Sequence, residues 1–296
     1  MRLRAPRREE AEAVLAVLAD RDSADFGRPD VTLEDVLEEW SASDYDIALD
    51  CRVCETERGE MLAYANVRRM ASFIAVSPEH DHGDSAALLL NWAGQRQREL
   101  GWPRLRQAAA AANEPLATLL ESHGYVLERS HYRMRRELNS EVSGGETPDG
   151  VVLRTLDRNG DAEAVYEIDR LAFANVVGTE DMPLGEFVER HVSVHDLDPA
   201  LSLLAMREQT PIGFLLTRVW REEQTGYVDI LGVLPTEHGR GIGRALLLTA
   251  FDRYRQSGLR EAQLGVSAEN PNALRLYERA GMSPRFQIDL YERDAD

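Results

Sequence analysis

The chain has 296 residues, 43% hydrophobic and 29% charged, a length and balance that fit two globular domains of ordinary size, each with its own core. Its formal charge of -18 excludes the concentrated basic surface that nucleic acid requires and mildly favours a cationic or amine-bearing small molecule. All 34 basic residues are arginine, which excludes a lysine Schiff base.

The start, Met1-Arg2-Leu3-Arg4-Ala5-Pro6-Arg7, lacks the apolar stretch of a secretion signal, and no apolar run approaches the roughly 18–20 residues that span a bilayer. Two cysteines build no disulfide framework. A cytoplasmic protein without membrane or nucleic-acid partners, a monomer or homodimer, is expected. The first half opens with a short strand at Leu3, Arg4 and Ala5 and a helix over residues 11–18. Residues 46–55 read as a strand feeding a hairpin at 57–60. Cys51 and Cys54 have redox or zinc spacing, but strand residues three apart point to opposite faces and no second cysteine pair exists. His80 and His82 read as solvated loop residues, so no metal is expected.

Residues 139–150 are polar and turn-rich, with the composition of a linker. The expected division is a first domain over 1–139, a linker over 140–150 and a second domain over 151–296. In the second, 151–155 reads as a strand, 161–174 as a helix and 182–191 as another helix. Residues 201–207 and 212–220 read as a hairpin turning at Gln209, Thr210 and Pro211. A strand over 227–233, an amphipathic helix over 240–257, a strand over 261–266, a helix over 272–280 and a strand over 286–292 complete a mixed α/β layer.

The halves repeat. Residues 76–125 align with 233–282 at a constant shift of 157, with thirteen of the fifty positions identical, Pro78/Pro235, Gly101/Gly258, Asn113/Asn270 and Gly124/Gly281 among them. An internal match this long means duplicated domains.

The most informative segment runs from Leu231, Gly232 and Val233 through His238, Gly239, Arg240, Gly241, Ile242, Gly243 and Arg244. A strand enters a glycine-rich turn, and the turn enters a helix. Glycines let backbone N–H groups approach an anion, the helix N-terminus adds partial positive charge, and Arg240 and Arg244 add charged donors. The spacing is not that of a Walker loop, and the full dinucleotide-fold glycine pattern is absent.

At these residues the chain resembles the Gcn5-related N-acetyltransferases (GNAT). Residues 238–243 are similar to that family's pyrophosphate signature, with His238 departing at a position usually Gln or Arg. Asn270, Asn272 and Tyr277 fall in a matching downstream motif. The paired arrangement resembles the tandem acetyltransferases of the family, the group that includes mycothiol synthase. The resemblance implies two tandem domains, each a mixed central sheet with flanking helices, and transfer of an acetyl group from acetyl-CoA to a small-molecule primary amine by direct attack in a ternary complex. It places acetyl-CoA between two splayed strands, with backbone near Leu231 and Val233 holding the thioester and loop 238–244 holding the pyrophosphate. It gives Tyr277 the part of the acid that protonates the leaving thiolate. The family often has a glutamate where Tyr227 stands, so the base stays open. Asp229 is a candidate directly, through water or as a structural carboxylate, with Glu180, Asp181 and Glu186 as alternatives. His191 and His195 read as surface or capping residues, with acceptor contact as the alternative.

At the shift of 157, Asp84 falls on Gly241, Ala86 on Gly243, Ala87 on Arg244 and Leu120 on Tyr277. A carboxylate at Asp84 would repel a pyrophosphate. The first domain thus reads as degenerate and non-catalytic, the second as catalytic. The alternative function is a non-catalytic acyl-CoA or metabolite-binding protein built on the duplicated fold.

Overall fold

Strands that are apolar on both faces need cover on both, and helices supply it in each half of this chain. The computed structural model describes residues 1–42, 45–68, 71–80, 84–139, 146–174 and 182–295. In chain order the first half carries β1 (Arg2–Arg4), α1 (Ala11–Phe26), α2 (Leu33–Glu39), α3 (Ile47–Asp50), β2 (Cys51–Glu55), β3 (Met61–Asn66), β4 (Ser72–Val76), α4 (Asp84–Glu99), β5 (Arg104–Ala110), α5 (Glu114–Ser122) and β6 (Val126–Glu137). The second carries β7 (Val151–Thr155), α6 (Ala162–Ala172), α7 (Leu184–Phe187), β8 (Leu203–Arg207), β9 (Thr210–Trp220), β10 (Thr225–Val233), α8 (Ile242–Gln256), β11 (Glu261–Ser267), α9 (Pro271–Arg279) and β12 (Ser283–Asp294).

Two compact units form. One comprises residues 1–132, 267–269 and 285–296, the other residues 133–266 and 270–284. The first has strand order β1-β2-β3-β4-β5-β12, the second β6-β11-β10-β9-β8-β7. Each contains a parallel pair, β4 with β5 and β10 with β11. The halves exchange their last strands: residues 133–137 of β6 belong to the second unit, and residues 285–294 of β12 to the first. The fold is the expected mixed α/β one, with two similar units of sheet and flanking helices.

In the first unit, Val14, Val17, Val36, Trp40, Cys51 and Tyr64 pack under α1 and α2. Cys54, Ile74, Leu89, Leu105 and Leu120 pack under α4 and α5 on the other face. Cys51 and Cys54 therefore point to opposite faces. In the second unit, Val165, Ile168, Phe187, Phe214 and Leu216 fill the α6/α7 side. Leu246, Leu247, Phe251 and Tyr254 of α8 are fully buried. Among the described residues no helix is long and apolar enough to cross a membrane.

Four local expectations are corrected. Residues 47–50 form a helix rather than strand, because the Asp46 carboxylate accepts from the Ala48 N–H at 2.8 Å and caps it. The hairpin turns at Glu208 and Gln209, since Arg207 pairs with Thr210, and Pro211 is already in β9 opposite Met206. The long helix starts at Ile242 rather than Arg240, because Gly241 is left-handed. Residues 182–191 give only the short α7, followed by a π turn over Val188–Val192.

Candidate active site

Strand β10 pairs with β11 only from Thr225↔Glu261 to Val228↔Leu264, although β10 runs on to Val233 and β11 to Ser267. The break coincides with a bulge. Against β9 the register of β10 shifts between Val228 and Ile230, leaving Asp229 as the extra residue. A bulge bends its strand and raises the local twist, which carries the end of β10 away from β11. Beyond the bulge β10 keeps β9 on one side, and the Leu234 N–H donates to the Ile212 carbonyl at 3.0 Å. By strand alternation, the N–H and C=O groups of Leu231 and Val233 face the opening. The Val233 carbonyl accepts from His238 Nε2 at 2.9 Å.

After a turn at Pro235–Glu237, Gly239 and Gly241 take φ of 75° and 81°, the left-handed region that favours glycine. Helix α8 begins at once. Among the described residues, the N–H groups of residues 239–244 have no protein acceptor. Six N–H groups without an acceptor, three before and three in the first turn of a 15-residue helix, can receive an anion as a cradle. Arg240 pairs with Glu237 at 3.5 Å, which Arg207 also holds at 3.0 Å. Arg244 is exposed, with no carboxylate within 4.0 Å among the described residues. Gly243 lets α8 approach α9, since a Cβ there would lie 3.3 Å from Leu276.

Asn270 caps α9, its side chain accepting from the Ala273 N–H at 3.1 Å. Asn113 caps α5 in the same way through the Leu116 N–H, so the Asn113/Asn270 identity has a structural cause. Asn272 accepts from Arg275 Nη2 at 2.5 Å. Tyr277, one turn further, is buried at 9% exposure, and its hydroxyl has no protein partner among the described residues. Burial first, then the neighbouring Tyr227 phenol, pushes the Tyr277 hydroxyl up to about 12. Tyr227 stacks on Trp220 at 4.7 Å, with the Arg133 guanidinium over its ring.

On the α6/α7 side, Asp229 meets His191. His191 Nδ1 lies 2.8 Å from Asp229 Oδ2, and Arg218 Nε lies 3.1 Å from Asp229 Oδ1. Asp196 stands 3.6 Å from Arg218. Asp169 on α6 is close enough to sense both partners. Burial pushes its carboxyl up to about 6, the Asp229 charge adds to this, and His191 opposes it. His191 is half-buried and paired with Asp229. The π turn sets its direction, and its ring packs on Phe187, four residues earlier, at 5.1 Å. Glu186 points elsewhere, to Arg190 at 2.7 Å. Glu180 and Asp181 lie outside the described residues.

The first unit lacks this equipment. Leu120, at the position of Tyr277, is fully buried in the core, and Asp84 opens α4. Strand β4 pairs with β3 without a register shift. Residues 81–83, and with them His82, lie outside the described residues; His80 ends a turn at Pro78–His80. The Cys51 thiol sits between the Tyr45 and Tyr64 hydroxyls at 2.9 and 3.2 Å, and burial pushes it up to about 11, the setting of a structural thiol.

The chain is similar to known proteins. Residues 162–282 match the model of the acetyltransferase (GNAT) family. A mycothiol acetyltransferase of Streptomyces avermitilis is 30% identical over 295 residues, covering 96% of this chain and 91% of that protein. One from Thermobispora bispora is 35% identical over 182 residues, 60% of this chain and 61% of that protein. A GCN5-related N-acetyltransferase from Sphaerobacter thermophilus superposes with a TM-score of 0.87 at 28% identity, covering 99% of this chain and 95% of that one. A tandem GNAT protein of the clavulanic acid biosynthesis pathway shares the fold, with a TM-score of 0.75 at 14% identity over 100% of this chain and 99% of that one. The chain belongs to the Gcn5-related N-acetyltransferase family, as a tandem member, and is an acetyl-CoA-dependent N-acetyltransferase.

Proposed function

We propose that this protein transfers the acetyl group of acetyl-CoA to the primary amine of a small molecule, by direct attack in a ternary complex, and that the working site lies in the second unit. The observation that carries the reading is the opening between β10 and β11, with the unpaired N–H groups of residues 239–244 beside it. The cradle suits a pyrophosphate, supplemented by Arg240 and Arg244. Pantetheine would run along the backbone edge of Leu231 and the Val233 N–H, the Val233 carbonyl being held by His238. The Val233 N–H is placed to stabilise the charge that develops on the thioester oxygen. Asn270 and Asn272 contribute by fixing the start of α9, and so the position of Tyr277. The protonated Tyr277 phenol is the acid for the departing thiolate. Asp229 belongs to the acceptor side. The first unit does not bind the donor, consistent with Asp84 and Leu120 at the two decisive positions.

The test is thiol release from acetyl-CoA with a panel of primary amines. The amine precursor of mycothiol belongs in the panel because the relatives bear the mycothiol acetyltransferase name. Turnover on at least one amine is expected. Tight CoA binding with no turnover on any of them would replace this reading with a non-catalytic acyl-CoA-binding protein.

A further inference from the structure

We infer that Nε2 of His191 is the proton acceptor for the incoming amine, with Asp229 as the residue that positions it. The inference rests on acetyl transfer at the second unit. Both oxygens of Asp229 are already engaged, Oδ2 by His191 and Oδ1 by Arg218. An ionised carboxylate only accepts, so the 2.8 Å contact is His191 Nδ1–H donating to Asp229. The neutral ring then keeps its lone pair on Nε2. Among the described residues Nε2 has no protein partner, while the Phe187 ring fixes the imidazole plane from the side. A carboxylate that orients a histidine and selects its tautomer is the logic of a hydrolase triad, here without the serine.

The position fits the task. Asp229 is the bulge residue at which β10 leaves β11, and Leu231, whose backbone faces the opening, lies roughly 7 Å along the strand. The first unit has neither feature. Ser72 stands where the shift of 157 puts Asp229, fully buried and accepting from Gln97 Nε2 at 2.8 Å, and β4 has no bulge. The unit that lacks Tyr277 also lacks the dyad.

The protons balance. An acceptor arriving as R–NH3+ gives one proton to His191 Nε2 and becomes the free amine. Its nitrogen attacks the thioester carbon, the C–N bond forms, and the C–S bond breaks as the tetrahedral adduct collapses. The thiolate takes the Tyr277 proton, and the surplus proton on the new amide nitrogen returns to the tyrosinate through water. His191 releases its proton to solvent. The net change is acetyl-CoA and an ammonium giving an amide, CoA thiol and one proton.

Among the described residues the charged groups around the imidazole are Asp229 and Arg218 on the sheet, Asp196 behind Arg218, Asp169 on α6, and the pair of Glu186 on α7 with Arg190 in the π turn. Asp169→Asn therefore serves as the background in which the His191 profile is read. In the full chain with acetyl-CoA and the best amine of the panel, His191→Gln should lower kcat/KM by about 100- to 1,000-fold near neutral pH. The deficit should shrink as pH approaches the pKa of the amine, where the substrate needs no base. CoA affinity should stay within about twofold, a control for folding. In Asp229→Asn the amide can donate to Nδ1, which moves the ring proton to Nε2; the loss should match that of His191→Gln, and the double variant should lose no more. The 15N spectra of the ring give a readout independent of turnover, with the Nδ1–H tautomer in the native protein and Nε2–H in Asp229→Asn. A His191→Gln rate within about threefold of native at every pH, or an Nε2–H tautomer in the native protein, overturns the inference. If no amine releases thiol, the acetyl-transfer reading fails, and the spectra still decide whether the Nδ1–H dyad exists.

Discussion

Position 241 separates charge from shape in the proposed pyrophosphate cradle. Gly241 has φ of 81° and ψ of 2°, so a side chain there costs roughly 1–2 kcal/mol of backbone strain, least for Asn and Asp. Among the described residues its surroundings are open: a Cβ at this position would have only Pro148 within 4 Å, at 3.8 Å. Asn and Asp at 241 therefore carry similar strain and bulk, and they differ by one negative charge. At about 5 Å from a phosphate, that charge costs roughly 1 kcal/mol in water-like surroundings and about 3 kcal/mol at an effective dielectric near 20. Gly241→Asp should therefore bind CoA about 5- to 150-fold more weakly than Gly241→Asn, as measured by titration calorimetry. The difference should shrink in 1 M salt, where the Debye length falls to about 3 Å. The first half already holds the charged version, since Asp84 occupies the corresponding position. Equal affinities for the two variants at low salt would refute a pyrophosphate at this loop.

Two further outcomes are expected. Tyr277, pushed up to about 12, stays protonated across the working pH range; Tyr277→Phe should cut kcat by about 100-fold with acetyl-CoA affinity nearly intact, and an equal loss of affinity would make the residue a packing element. Asp22 on α1 is 7% exposed, and burial pushes its carboxyl up to about 6 against the opposing Asp30 N–H hydrogen bond. Because the folded value lies above the unfolded one, the stability linked to Asp22 is fully present below about pH 4 and is lost as pH rises through 6. Asp22→Asn keeps an acceptor for Asp30 and removes the charge. It should stabilise the protein at pH 7.5 by on the order of 1–3 kcal/mol in urea titrations and change little at pH 4; equal effects at both would contradict the burial argument.

What the sequence reveals and what it conceals divide along a physical line. The cradle was legible because its conformation is written locally: left-handed backbone at Gly239 and Gly241 needs no distant partner to be recognised, and the helix follows at once. The capping asparagines are local in the same sense. The exchange of β6 and β12 was not legible, because pairs such as Ile288↔Ala110 join residues far apart in the chain and nothing in either strand names its partner. The bulge at Asp229 was hidden for a related reason. A register shift belongs to two strands at once, and residues 225–233 alternate smoothly enough to pass for a regular one. The direction of His191 depends on a π turn, which shifts every side chain after Phe187 away from its α-helical bearing. These non-local features converge on one place. The bulge sends Asp229 toward α7, the π turn sends His191 toward β10, and the same bulge opens the strands beside Leu231. The proposed donor side of the site is therefore encoded in a motif, and the proposed acceptor side in registers. That is why comparison of the two halves separates the cradle proposed to hold the donor from its altered copy, while the residue proposed to face the amine emerges only from the fold.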